Sequence, residues 1–417
     1  MHLRAAALAL AILAVFAGAA WLRVQRLERR YFHAMASENS TVKDLGIVWQ
    51  KEAFTHADLL PFYGSSELIK RAPNKASQFF ASYPSGFAVS PVGRASCTSL
   101  ILLEKLAASA SEAPGRKVVI SVSPSWFTAK GANHEGFEGN FSVMQASELF
   151  FSAPLSLRLK QAIAERMLRY PRVFQNSPVL SVVVRALAAD RWPDRALYFA
   201  ALPLGRLQNM VFRLQDHFEV MNTLCRDKKR HHQPVHKLTS LHWKTRLVKA
   251  LPLVKPLREE GADEARLRHF AGDGAFLQAL QRSYEWGDLE LLLRVVKELH
   301  LDPLLLSMPI EYAHFERMGI SPQSIDAYAS RLHEFAQRAG VPVADFADMG
   351  EDPRFFADHF GHPSAAGWLY LDRAVDDFFH KRPLRQDEPE LPPATSNLPT
   401  DRPRPPRSGP GSAIPET

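Results

Sequence analysis

Four short apolar runs, separated by stretches of helical period, set the limits on how this chain can fold. LLPFYG (59–64), GFAVSPVG (86–93), KVVISVS (117–123) and LDPLLLSMP (301–309) each have the length of a buried strand. Between them, apolar residues recur every three or four positions, as in SLILLEKLAASA (99–110) and LELLLRVVKELH (289–300). A strand covered on both faces reads as a continuous apolar run. Alternation of such runs with helices predicts an α/β fold with a mainly parallel sheet flanked by helices. From 141 to 285 the pattern changes to long helical stretches without a clear strand, such as SLRLKQAIAERMLRY (156–170) and RLQNMVFRLQDHFEVMNTLC (206–225), which predicts a helical insertion.

The ends of the chain differ from this central part. Ala5 to Trp21 is an apolar run without a charge, preceded by Arg4 and followed by Arg23, Arg26, Arg29 and Arg30. Its length is at the short end of what crosses a bilayer, roughly 17–25 residues. It reads as an uncleaved anchor over residues 1–22, although Ala17-Gly18-Ala19 also suits a signal peptidase, so cleavage stays open. Residues 23–55 read as a polar, partly helical stalk, and 56–382 as the globular body. The Arg-rich flank by itself places the body in the cytoplasm, against the extracytoplasmic body that the site chemistry below calls for. From Pro383 the tail carries ten prolines and no aromatic residue, a composition of disorder over 383–417.

The formal net charge of +7 suits nucleic acid, an anionic membrane or a polyanionic envelope polymer. No zinc-finger spacing, RNP-like motif or long basic helix supports nucleic acid, which is therefore set aside. The basic RDKKRHHQPVHK segment (226–237) reads as a solvated loop, whose functional reading is contact with lipid headgroups or polymer phosphates. Cys97 and Cys225 are too few and too far apart for a disulfide scaffold or a metal cluster. Metal-binding and nucleotide-binding spacings are absent, so neither a metal nor a cofactor is expected.

Two segments carry chemistry. In LPFYGSSEL (60–68) an apolar run leads straight into Gly64-Ser65-Ser66-Glu67 and then helical sequence. A serine there sits at the carboxyl edge of the sheet, where open α/β sheets bind ligands. The helix start supplies free N–H groups for an oxyanion. Taken alone, Gly-Ser-Ser also fits an ordinary helix N-cap. Far along the chain, ADHFGHPSAAGWLYLD (357–372) crowds Asp358, His359 and His362 before a Pro-Ser helix start. A nucleophilic serine needs an imidazole base, and the imidazole needs an orienting carboxylate.

Together these motifs resemble the SGNH (GDSL-like) hydrolase superfamily and, within it, the DltD family of D-alanyl transfer proteins. Tyr63-Gly64-Ser65-Ser66-Glu67 is similar to the family's serine turn, and Ser123-Pro124-Ser125-Trp126-Phe127 to its Ser-Pro-x-Trp-Phe block. WGDLELLLRVVKEL (286–299), SMPIEYAHFERMGI (307–320) and HPSAAGWLYLD (362–372) resemble further blocks, so the likeness runs from the anchor to Pro383. The resemblance implies a flavodoxin-like sheet, Ser66 as nucleophile, His362 as base and Asp358 as the orienting acid. It also implies Gly64, Ser65 and Gly93 around an oxyanion hole formed with the Ser66 N–H, and Trp126 as a pocket wall. Two departures stand out: the residue three before His362 is His359, with Asp358 one further back, and VGRASCTSL (92–100) has Ala95 and Ser96 where glycines are expected. The implied function is a membrane-anchored serine acyltransferase or esterase in D-alanylation of an anionic envelope polymer, of teichoic acid or lipopolysaccharide type. Its partners would be a D-alanyl carrier protein and a membrane-bound O-acyltransferase. The alternatives are an SGNH acyl-esterase of envelope polysaccharide and a non-catalytic scaffold that recruits the carrier.

Overall fold

The computed structural model describes residues 2–111, 113–128, 134–226, 238–257 and 272–385. Five strands form one sheet: β1 (Leu59–Tyr63), β2 (Ala88–Val92), β3 (Lys117–Val122), β4 (Asp302–Ser307) and β5 (Val343–Asp345). Their order is β2-β1-β3-β4-β5 and every pair is parallel. This is the flavodoxin-like doubly wound order, whose winding reverses between β1 and β3. The four apolar runs account for β1 to β4. β5 has only three residues and pairs over Val343, Ala344 and Asp345, too short to show as a run in the sequence.

The N-terminal helix α1 (His2–Ala36) is longer than the apolar run that begins it. An 18-residue window within its segment Arg4–Phe32 has a mean hydropathy of 2.3, and the segment is long and apolar enough to cross a membrane. Two short helices follow, α2 (Thr41–Leu45) and α3 (Val48–Thr55). They correct the reading of 23–55 as a stalk, because Trp49, Ala53 and Phe54 are buried and Asp44 reaches the β2 loop. Their apolar positions are too few to show a period, so only the packed body reveals where they bury.

The remaining helices named here are α4 (Ser66–Ile69), α5 (Ala76–Ser82), α6 (Ser99–Ser109), α7 (Val143–Phe151), α8 (Leu157–Met167), α9 (Pro178–Ala189), α10 (Trp192–Arg226), α11 (Glu285–Glu298) and α12 (Ala365–Phe379). The two-residue alternation of the strands divides the core between two faces. Val118, Ile120, Val122 and Leu305 join α6, α7, α8, α9 and α11 on one face. Val119, Leu304 and Leu306 meet α5 and α12 on the other. No strand occurs among the described residues from 141 to 285, and the helices α7 to α9 share the sheet's own core. Most of the basic segment at 226–237, and the tail from 386, lie outside the described residues.

Candidate active site

β1 delivers a serine to the carboxyl rim of the sheet through a turn tied on three sides. Gly64 N–H donates to the Val92 carbonyl at 3.0 Å, and a Cβ on Gly64 would overlap the Glu67 and Ser121 side chains. Buried Glu67 folds back over the turn, where its Oε1 accepts from the Ser65 N–H at 2.7 Å and from the Ser121 hydroxyl of β3. Ser65 in turn donates its hydroxyl to the Arg94 carbonyl at 3.2 Å. Ser66 is thereby held as the first residue of α4, and its N–H makes no hydrogen bond among the described residues. Helix starts leave such donors free.

The second arm comes from the chain just before α12. A bridge between Phe356 and Pro363 and an Ala357 N–H bond to the His362 carbonyl at 2.7 Å close the loop 358–362 at its base. Gly361, at φ +84°, makes the left-handed turn that the closure needs. Ser364 caps α12 by accepting from the N–H groups of Ala366 and Gly367, which fixes the residue two beyond His362.

The two arms meet. His362 Nε2 lies 2.8 Å from Ser66 Oγ, and His362 Nδ1 lies 2.7 and 2.9 Å from the two oxygens of Asp358. An ionised carboxylate only accepts, so Nδ1 carries the proton and Nε2 is left to accept from the serine hydroxyl. Asp358 Oδ1 also accepts from the N–H groups of Phe360 and His362, at 3.0 and 3.2 Å. Lys70, at the C-cap of α4, forms an ion pair with the other oxygen. One helical turn therefore carries both the serine and a cation to the same loop. Burial and the Lys70 ammonium push the His362 imidazole down to about 4, against a smaller opposing pull from Glu67. The ring is neutral at physiological pH, the state in which it can take a proton.

A cavity of about 240 Å³ opens beside the serine. Ser65, Ser66, Ser96, Thr98 and Ser125 give it hydroxyls, and Trp126 forms part of its wall. At its other side Asp288 holds Arg166 through two bonds of 2.7 and 2.8 Å, and burial lifts the neighbouring Glu285 carboxyl to about 8. A larger space of about 520 Å³, lined in part by Ser85, Trp243, His380 and Arg382, contains none of the Ser66, His362 or Asp358 groups.

The family model described as "DltD protein" matches residues 36–251 and 264–380, the greater part of the chain. The chain belongs to the DltD family. It is 26% identical to Protein DltD of Bacillus subtilis (strain 168) over 387 residues, which covers 88% of this chain and 94% of that protein. It is 22% identical to Protein DltD of Staphylococcus aureus (strain NCTC 8325 / PS 47), over 79% of this chain and 83% of that one. Against Protein DltD of Lacticaseibacillus rhamnosus it is 23% identical, over 76% and 77%.

Within this DltD fold the displaced aspartate has a structural account. The bridged loop lets a carboxylate four residues before the histidine reach Nδ1. His359, three before, turns the other way and contacts Glu311 Oε2 at 2.6 Å. Glu311, His314 and His359 offer three possible metal ligands within 4.8 Å. The 2.6 Å contact is shorter than the ~3.3 Å between ligands of one tetrahedral zinc. It reads as a hydrogen-bonded brace under the Asp358 loop. Gly93 corrects the oxyanion expectation: its N–H is committed to Asp44 Oδ1 at 2.7 Å, so it is not offered to a substrate. A Cβ at Gly93 would overlap the Gly64 carbonyl, so its part is to let the β2 loop approach the serine turn.

Sequence reasoning passed over Lys70, Glu67 and Asp44. Lys70 had one legible signal, its position one helical turn after Ser66. Asp44 had none, since its partner is 49 residues away.

Proposed function

We propose that this DltD-family chain is a membrane-anchored serine acyltransferase in D-alanylation of an anionic envelope polymer, with Ser66, His362 and Asp358 as its catalytic groups. The observation that carries the reading is the unbroken line from Ser66 Oγ through His362 to Asp358, with contacts of 2.8 and 2.7 Å. Family membership ties the chain to D-alanyl transfer. The hydroxyl-lined cavity favours a short polar acyl group and a hydroxyl-bearing acceptor over a long aliphatic chain.

In this mechanism His362 Nε2 takes the Ser66 proton as Oγ attacks the carbonyl carbon of a D-alanyl ester or thioester. The Ser66 N–H at the start of α4 receives the developing oxyanion. The tetrahedral adduct collapses, and the imidazolium returns the proton to the departing oxygen or sulfur. A polymer hydroxyl then gives its proton to His362, attacks the acyl-serine carbonyl and leaves with the alanyl ester as Ser66 is regenerated. Asp358 holds the ring tautomer and faces the imidazolium charge. The donor in this scheme is supplied by a D-alanyl carrier protein and a membrane-bound O-acyltransferase, with the catalytic body outside the cytoplasm.

Ser66→Ala and His362→Ala should each lower the rate of alanyl transfer by on the order of 10⁶-fold. A fluorophosphonate probe should label Ser66 in the parent chain and label neither variant. Normal ester-linked alanine in both variants would rule out the catalytic reading and leave a scaffold. Release of free D-alanine with no transfer to polymer would make the chain an esterase instead.

A further inference from the structure

α10 is apolar on a face that the body does not cover. Leu204, Leu207, Met210, Val211, Leu214 and Phe218 are each 48–62% exposed. Their spacing of three and four residues sets them along one ridge. The opposite side of the helix is already used. Gly205 lies against Phe151, Asn209 bonds Ser147 and Ser152, and Asp216 accepts the N–H groups of Ile47 and Val48. A surface helix normally turns a polar face outward, so one whose outward face is apolar marks a contact surface, with protein or with lipid.

The position of α1 says which. His217 of α10 contacts Glu28 of α1 at 2.7 Å, and its ring packs edge-on to Trp21 at 4.8 Å. Further along both helices, Phe32 and Met35 share a cluster with Val220 and Leu224. Higher numbers on one helix meet higher numbers on the other, so the two run in the same direction. The ridge and the uncovered apolar half of α1 therefore lie towards the same end of the pair. The most apolar window of α1's candidate span has no buried residue, so both surfaces are bare. At the start of α10, Trp192 is 81% exposed, an aromatic placement that suits a membrane–water interface.

We propose that the outward ridge of α10 is a lipid-contacting surface beside α1. The body is then held against the membrane along a second element instead of hanging from α1 alone.

The test uses the full-length chain carrying Cys225→Ser, which removes the exposed thiol; buried Cys97 stays in place. Single cysteines are introduced by Leu207→Cys, Leu214→Cys and, as a polar exposed control, Gln215→Cys. Each variant is nitroxide-labelled and reconstituted in phosphatidylethanolamine–phosphatidylglycerol vesicles. Positions 207 and 214 should collide several-fold more with dissolved oxygen than with a water-soluble nickel chelate, and position 215 should show the reverse. Equal access of the chelate to all three positions would place the ridge in water and overturn the proposal. Shielding of 207 and 214 from both reagents would overturn it too, because a protein surface, a second copy or a partner, would then cover the ridge. Adding Ser66→Ala leaves the expected pattern unchanged, which separates this outcome from that of the catalytic reading.

Discussion

Lys70, Asp358 and His362 form one electrostatic unit, and its behaviour with pH follows from their contacts. The folded imidazole is pushed down to about 4 from a usual value near 6.5. Between those values the unfolded chain takes up a proton that the folded chain refuses. The stability this group contributes is therefore complete above about pH 6.5 and is lost as pH falls towards 4. Activity should hold a plateau down to about pH 5, with its acid limb set by His362. Lys70→Met removes the cation that opposes the imidazolium and frees Asp358 to favour it. The acid limb should then move to higher pH with little change on the plateau, and a limb that stays in place would show that Lys70 is only a surface partner. Asp358→Asn keeps an acceptor for the Phe360 and His362 N–H groups but removes the charge that fixes the ring tautomer. Turnover should fall by on the order of 10⁴-fold while the circular dichroism stays that of the parent chain.

At the level of elements, the serine turn depends on the β2 loop packed against it. A methyl at Gly93 would press on the Gly64 carbonyl. Gly93→Ala should thus cost roughly 1–3 kcal/mol of stability by overpacking and should slow Ser66 labelling as well. Unchanged labelling with lowered stability would show that the turn and the loop move independently. Ser364→Ala removes the cap of α12, worth about 1 kcal/mol by denaturant unfolding. The runs behind β1 to β4 were legible because continuous burial leaves a continuous apolar signature. β5 was not, because three residues leave no pattern, and α2 and α3 were missed because their burial is decided by what they pack against.

At the scale of the whole molecule, two features act on sidedness in opposite directions. The arginines that follow the apolar part of α1 favour a cytoplasmic body, whereas the chemistry proposed for the site needs a body on the other side. Cys225 is the exposed thiol of the body and Cys97 is buried, so the native chain carries its own probe. A membrane-impermeant maleimide should label Cys225 in cells whose cytoplasmic membrane is intact. Labelling that appears only after lysis would place the body inside and remove extracytoplasmic D-alanyl transfer.

The amino-acid sequence by itself determined the parallel α/β class, the apolar N-terminal helix and the family, because strand burial, helical period and short motifs are local along the chain. Only the tertiary structure decided that Ser66 and His362, 296 residues apart, stand within hydrogen-bond reach. It also decided that Asp358 reaches the ring despite its extra residue of spacing, and that the Gly93 N–H belongs to Asp44. The physical reason is common to all three: a hydrogen bond depends on where packed elements bring two groups, and a linear pattern carries no record of that distance.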